Sequence, residues 1–227
     1  MISKHQTLGN IVAIIPSAAP FFEMHQIDYC CQGNRTLHDA LKHHTLNIDD
    51  VLNILNDKLS QTNTATPWME ADLNSLVDHI LDTHHAYLYE KLPFLSELTT
   101  KILRVHGLHH QELKEVHTWF HRLKPEMEAH LIKEETLQYP AIRAYLKTKN
   151  QEKLQVAKDV IQSLEDEHRF VGDALKELRK VTNNYALPHD ACQTYEKTYE
   201  FLEELEKNTF QHIHLENNIL FKRLLEL

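Results

Sequence analysis

The chain has 227 residues, 24 Lys+Arg against 33 Asp+Glu, a formal net charge of -9 and 42% hydrophobic composition. That acidic balance excludes a general phosphate-backbone binder, which needs basic patches. No run approaches the ~20 apolar residues of a membrane span, and the start MISKHQTLGN has no basic stretch feeding an apolar core.

Only 4 glycines leave little for hairpins or phosphate loops, so an all-α chain is expected. The 3 cysteines include the adjacent Cys30–Cys31. An odd count with a vicinal pair does not form a secreted disulfide framework, so reduced thiols and a soluble, cytoplasmic protein are expected. The compositional outlier is histidine, with 18 scattered copies.

In chain order, residues 1–60 read as short helices. Thr7 to Ile15 stops near Pro16, and Ser17 to His25 follows with apolar Phe21 and Phe22. Asp28 to Asn34 reads as a turn carrying Cys30 and Cys31. Thr36 with Asp39 forms a capping box for a helix to His44, and Asn47 with Asp50 does the same for Val51 to Leu59. A polar, proline-ended stretch from Ser60 to Pro67, SQTNTATP, marks a linker, set at 61–71.

Four long amphipathic segments fill 72–227. The first starts at Asp72, runs apolar at Leu73, Leu76, Val77, Ile80, Leu81 and Leu88, kinks or ends at Pro93, and resumes to Val105. The second spans Leu108 to Leu146, with bends at Pro125 and Pro140. The third spans Asn150 to Val181, and the fourth Asp190 to Leu225, after the punctuating TNNYALP loop. Short connections between such helices predict an antiparallel four-helix bundle.

Two of these helices carry the same device. His130 and Glu134 stand four residues apart, as do His212 and Glu216. An imidazole and a carboxylate at that spacing share a helix face, and both ligate borderline or hard cations. Bundles build metal sites from inward side chains on facing helices, so the other two helices should supply partners. The third offers His168, beside Glu167. The first offers His84 or His85, which periodicity does not separate. Four histidines and two carboxylates leave open positions on a pair of metal ions. Cys192 reads as structural, and His5, His38, His43, His44, His109, His110, His117 and His121 read as lying on solvated faces.

DYCCQGNRTL, HLIKEETLQYP and HIHLENNILF together resemble the Repair of Iron Centers family, the ScdA-type di-iron proteins, and TNNYALPHDACQTY is similar to that family's connection between helices three and four. The resemblance covers essentially the whole chain. It implies a small N-terminal helical cysteine domain (1–60) and a hemerythrin-like bundle (72–227). The bundle would hold two non-haem iron ions, oxo- and carboxylate-bridged. Carried over by position, the ligands are His85, His130, Glu134, His168, His212 and Glu216. His85 is preferred by counting back from Lys91-Leu92-Pro93. Glu134 and Glu216 would bridge, and Glu135 would lie behind the ligands or at the surface.

The implied function is repair of iron–sulfur clusters damaged by nitric oxide or peroxide, by iron donation. Reduction of nitric oxide at the centre, or O2/NO binding as a sensor, are the alternatives. Cys30 and Cys31 would serve redox or iron transfer. The partners implied are damaged iron–sulfur proteins, NO or O2, and a second copy in a homodimer, with neither nucleic acid nor membrane. Three positions depart from the family pattern: Gln32 for Gly, Tyr139 for Phe and Lys222 for Pro.

Overall fold

The computed structural model describes residues 1–42, 44–61 and 67–227. His43 and positions 62–66 of the expected linker lie outside the described residues. The fold is all-α, and the only bridge among the described residues pairs Thr7 with Thr36. The helices are α1 (Leu8–Ile14), α2 (Ala19–Met24), α3 (Leu37–Leu41), α4 (Ile48–Gln61), α5 (Pro67–Glu70), α6 (Leu73–His79), α7 (Ala86–His106), α8 (Leu113–Lys133), α9 (Tyr139–Thr148), α10 (Gln151–Asp159), α11 (Ile161–Val181), α12 (Gln193–Leu215) and α13 (Phe221–Leu225). None is long and apolar enough to cross a membrane.

Side-chain caps start several of them. Thr7 accepts from Asn10 N–H, and Thr36 accepts from Asp39 N–H while its hydroxyl donates to Asp39. Asn47 accepts from the N–H groups of Asp49 and Asp50, so α4 begins three residues before the expected Val51. Asp72 and Asn150 cap in the same way. Such caps satisfy N–H groups that the helix itself leaves open.

Other boundaries differ from expectation. The helix from Thr36 ends at Leu41 rather than His44, and the one expected from Ser17 opens with the 3-10 turn Pro16–Ala18. Helix α5 occupies part of the expected linker. Pro93 and Pro125 lie inside continuous helices, and the expected third segment breaks at Val160 into α10 and α11.

Three π-turns occur among the described residues: Ile80–His85, Glu134–Gln138 and Glu216–Leu220. In each, the N–H of the next residue reaches back five positions: Ala86 to Leu81, Tyr139 to Glu134, Phe221 to Glu216. The extra residue makes the i+5 side chain stand where i+4 would stand in an α-helix. π-Turns recur at functional sites. Here each contains a histidine or glutamate singled out from sequence.

Contacts divide the chain into two compact units. The first is Met1–Leu76 with Gln211–Leu227. Its buried apolar residues include Leu8, Ile11, Phe22, Leu37 and Leu55 from the N-terminal helices and Ile213, Leu220 and Leu224 from the C-terminal segment. Helix α1 packs on the π-turn Glu216–Leu220. Asn218 there donates to the carbonyls of Cys30 (3.0 Å) and Tyr29 (3.2 Å). The approach needs glycine on both sides. A Cβ at Gly9 would stand 2.2 Å from Asn218 Oδ1, and one at Gly33 would meet Asn218 Oδ1 at 2.3 Å and the Tyr29 carbonyl at 2.5 Å.

The second unit is Val77–Phe210. Helix α8 packs on both α7 and α11. The first part of α12 joins them through the Phe94–Phe201 ring contact and a two-pronged Arg179–Glu206 ion pair. These are the four helices of the bundle. The loop after α11 turns through three left-handed residues, Asn183, Asn184 and Tyr185. Asn184 N–H donates to Arg179 and Tyr185 N–H donates to Thr182 Oγ1, which holds that otherwise costly backbone.

Candidate metal centre

In the second unit, His130 near the end of α8 and Glu134, which opens the π-turn that follows, are both buried. Glu134 Oε1 lies 3.1 Å from His130 Nε2, and its Oε2 lies 3.3 Å from His85 Nε2. His168, from α11, brings its Nε2 to 3.0 Å from His130 Nε2. The ligand atoms of His130, Glu134 and His168 all lie within 4.8 Å of one another.

The opposite ring nitrogens fix the tautomers. His85 Nδ1 donates to Glu135 Oε1 at 2.8 Å, and His130 Nδ1 donates to Glu167 Oε2 at 2.9 Å. Each Nε2 then carries a lone pair, and each faces a carboxylate oxygen. Two acceptors about 3 Å apart repel unless a cation or proton lies between them. Ligands to one metal at about 2.1 Å and right angles are separated by about 3 Å. The donor set therefore fits a metal ion.

Lys133 closes the network from outside by pairing with Glu167. Hydrogen bonds from His130 first, and then Lys133, hold the Glu167 carboxyl down at about 2, against the burial that would raise it. Glu167 thus stays ionised and keeps the His130 proton on Nδ1. Carboxylates behind metal-ligating histidines orient the ring and raise its basicity. Sequence reasoning named Glu167 only as a neighbour of His168, because its partner is on another helix; the adjacent Glu-His pair was the available signal. Tyr139, the first residue after its π-turn, is buried and donates its hydroxyl toward His85 Nε2 at 3.4 Å. His84 is turned elsewhere: its Nδ1 lies 3.2 Å from Asn208 Oδ1.

In the first unit, His212 Nε2 lies 3.1 Å from Glu216 Oε2, and both side chains are fully buried. Between them in sequence, His214 stacks edge-on against Tyr29 (5.6 Å) and lies near Asn218. Burial, and next the Lys222 charge, push its pKa down to about 3. The turn that Asn218 grips carries Cys30 and Cys31, whose sulfurs are 3.6 Å apart and unbridged. Asp28 accepts from the N–H groups of Cys31 and Gln32, and Asp28, Cys30 and Cys31 also offer three ligand atoms within 4.8 Å. Cys30 is buried and Cys31 half-buried.

The remaining sequence candidates fall as follows. Cys192 was expected to be structural but is exposed just before α12, with Sγ 3.1 Å from His106 Nε2. His5, His38 and His109 are exposed, whereas His44, His110, His117 and His121 are half-buried.

Residues 76–224 match the family profile described as Hemerythrin HHE cation binding domain, and residues 4–59 match the ScdA_N profile, described as Domain of Unknown function (DUF542). Among curated proteins, the iron-sulfur cluster repair protein YtfE of Escherichia coli O81 is 33% identical over 225 residues, 99% of this chain and 99% of that protein. The iron-sulfur cluster repair protein ScdA of Staphylococcus haemolyticus is 31% identical over 225 residues, covering 98% of this chain and 99% of its own length. Its counterpart in Staphylococcus epidermidis is 28% identical over 227 residues, 99% of this chain and 100% of that protein.

Proposed function

The chain belongs to the family of hemerythrin HHE proteins with an ScdA-type N-terminal domain, and on that premise we propose that it repairs damaged iron–sulfur clusters by donating iron. The observation that carries this reading is the Glu134 carboxylate, whose two oxygens face the Nε2 atoms of two different histidines. A carboxylate so placed suits a bridge between two cations. His85, His130, Glu134 and His168 would hold them together with His212 and Glu216, the six residues being supplied by the one stretch that matches the cation-binding profile. Glu216, whose π-turn begins as that of Glu134 does, would be the second bridge.

When bound, iron supplies a change of oxidation state and open positions for water, O2 or NO. The chain supplies the rest. Glu135 and Glu167 keep the His85 and His130 protons on Nδ1, so that both Nε2 lone pairs stay available. The burial of Glu134 and Glu216 keeps competing water from their oxygens. Six protein ligands shared by two ions are few, which favours release over storage. Cys30 and Cys31 would receive the departing iron or reduce the centre, since vicinal thiols bind soft metals and exchange electrons. A homodimer and NO as a reactant rest on the family resemblance, and a cytoplasmic location rests on the cysteine usage of the sequence.

The test is transfer of labelled iron from loaded protein to an apo iron–sulfur enzyme. Reductant or nitric oxide should accelerate transfer, and the double variant Cys30→Ala/Cys31→Ala should lose transfer while keeping its iron. Iron that stays bound under reduction would refute donation, and full repair by the cysteine variant would remove the thiols from the scheme.

A further inference from the structure

We propose that the Tyr139 hydroxyl donates a hydrogen bond to a small anionic or diatomic ligand held at the metal beside His85 and Glu134, and so selects which such ligands the centre retains. The proposal rests on the reading that this site binds iron.

The chain provides its own comparison. Tyr139 and Phe221 occupy equivalent places: each is the first residue beyond a π-turn, each sends its N–H back to the carbonyl of the motif glutamate, and each ring is buried. A phenylalanine satisfies the packing at one of these positions. At the other the ring carries a hydroxyl, and burying a hydroxyl is unfavourable unless it finds a partner. Its shape role is therefore met without the oxygen, and the oxygen needs a separate explanation.

The geometry supplies one. The hydroxyl points to His85 Nε2, 3.4 Å away, while His85 Nδ1 is engaged by Glu135. That Nε2 lone pair is the one a metal would take, facing Glu134 Oε2 at 3.3 Å. Once the lone pair is given to a cation, it no longer accepts from Tyr139. A phenolic hydrogen that no longer bonds His85 still borders that cation's coordination sphere, where the lone pair of a bound ligand would accept it. A neutral phenol is a donor at neutral pH, so the ligand it favours carries an accessible lone pair on a terminal atom: azide, hydroxide, dioxygen or nitric oxide. The π-turn makes this possible, because the added residue brings Tyr139 onto the face that carries Glu134 and His130. In an uninterrupted α-helix Gln138 would take that place.

Azide is the probe. Wild type and Tyr139→Phe would be loaded with ferric iron, their iron content measured, and each titrated with azide while the bound azide stretch is recorded by infrared spectroscopy. Loss of one hydrogen bond to a bound anion should weaken azide roughly tenfold and shift the stretch, with iron content unchanged. Equal affinity and an unshifted stretch in iron-replete protein would overturn the proposal. So would an intense visible band in wild type that vanishes in Tyr139→Phe, since that would make the phenolate oxygen a metal ligand. Protein that takes up no iron under any loading condition would instead overturn the underlying metal assignment, and the prior iron measurement separates that failure from the others.

Discussion

His130/Glu134 and His212/Glu216 are built alike: an imidazole and a carboxylate four residues apart, a π-turn opening at the glutamate, and a buried aromatic residue closing it. They differ in what stands behind them. The first has charge: Glu167 and Lys133 behind His130, Glu135 behind the neighbouring His85, and a phenol at Tyr139. The second has packing: a buried His214 against Tyr29, and Asn218 gripping the backbone of the cysteine turn. One local motif thus serves two ends. On the proposed reading, the charged surroundings would tune how firmly a metal is held and what reacts there. The packed surroundings tie the segment carrying His212 and Glu216 to the turn bearing Cys30 and Cys31. Lesions in the two regions should therefore fail differently.

The largest effect should come from the shared device itself. Glu134→Ala removes both oxygens that face histidines, and iron affinity should fall by more than about 100-fold, beyond the range for carboxylates that merely orient ligands. Iron per chain after desalting measures it. A variant that retains its iron would show that Glu134 is not a ligand.

Glu167→Gln keeps the shape and removes the charge behind His130. Iron should bind roughly 10- to 100-fold more weakly, while the reactivity of Cys30 toward a thiol reagent stays at the wild-type rate. Competition with a chelator and timed labelling read the two sides. An effect on Cys30 without one on iron would invert the comparison.

Asn218→Ala is the converse lesion. It leaves the Tyr29 and Cys30 carbonyls without this donor, which should lower stability by about 1–3 kcal/mol and speed Cys30 labelling, with iron binding changed less than by Glu167→Gln. A urea titration of the full chain gives the stability. An Asn218→Ala protein as stable as wild type, with slow labelling, would mean that the turn is held by something else.

The smallest effect is acid weakening of the N-terminal segment. Hydrogen bonds from Lys42 and then Thr36 hold the Asp39 carboxyl down at about 2. In the unfolded chain an aspartate titrates near about 3.9. A depressed carboxylate contributes stability above the unfolded value, and that contribution is lost as pH falls from about 4 through 2. Asp39→Asn should flatten the decline of the metal-free protein's urea midpoint across that window. An identical decline in the variant would deny Asp39 a part in acid unfolding.

Much of this was legible in the sequence because it is local. Periodic apolar positions located the long helices, and the Thr36/Asp39 box and the Asn47 and Asp72 caps were readable from three or four residues each. The i,i+4 spacing placed each histidine beside its glutamate. What sequence did not reveal depends on register or on a second helix. A π-turn shifts the helical register by one residue, and nothing in HLIKEETLQYP marks where that shift falls, so the arrival of Tyr139 on the face of Glu134 was not readable. His84 and His85 share the edge of one stripe, so periodicity did not separate them; the resemblance preferred His85, and their partners, Asn208 and Glu134, show the physical difference. Glu167 looked like an incidental neighbour because its imidazole partner lies 37 residues away. Pro93 was expected to kink or end its helix, yet α7 runs through it, as α8 runs through the bend position Pro125.

The account's central claim is that the two motifs share one metal centre, and iron content with an optical spectrum on freshly purified protein, compared among wild type, His130→Ala and His212→Ala, tests it most directly. The prediction is about two iron ions per chain in wild type, as carboxylate-bridged bundle centres hold, and joint loss of both ions in each variant. Less than one iron per wild-type chain, or loss of exactly half the iron in each variant with the other half undisturbed, would contradict it.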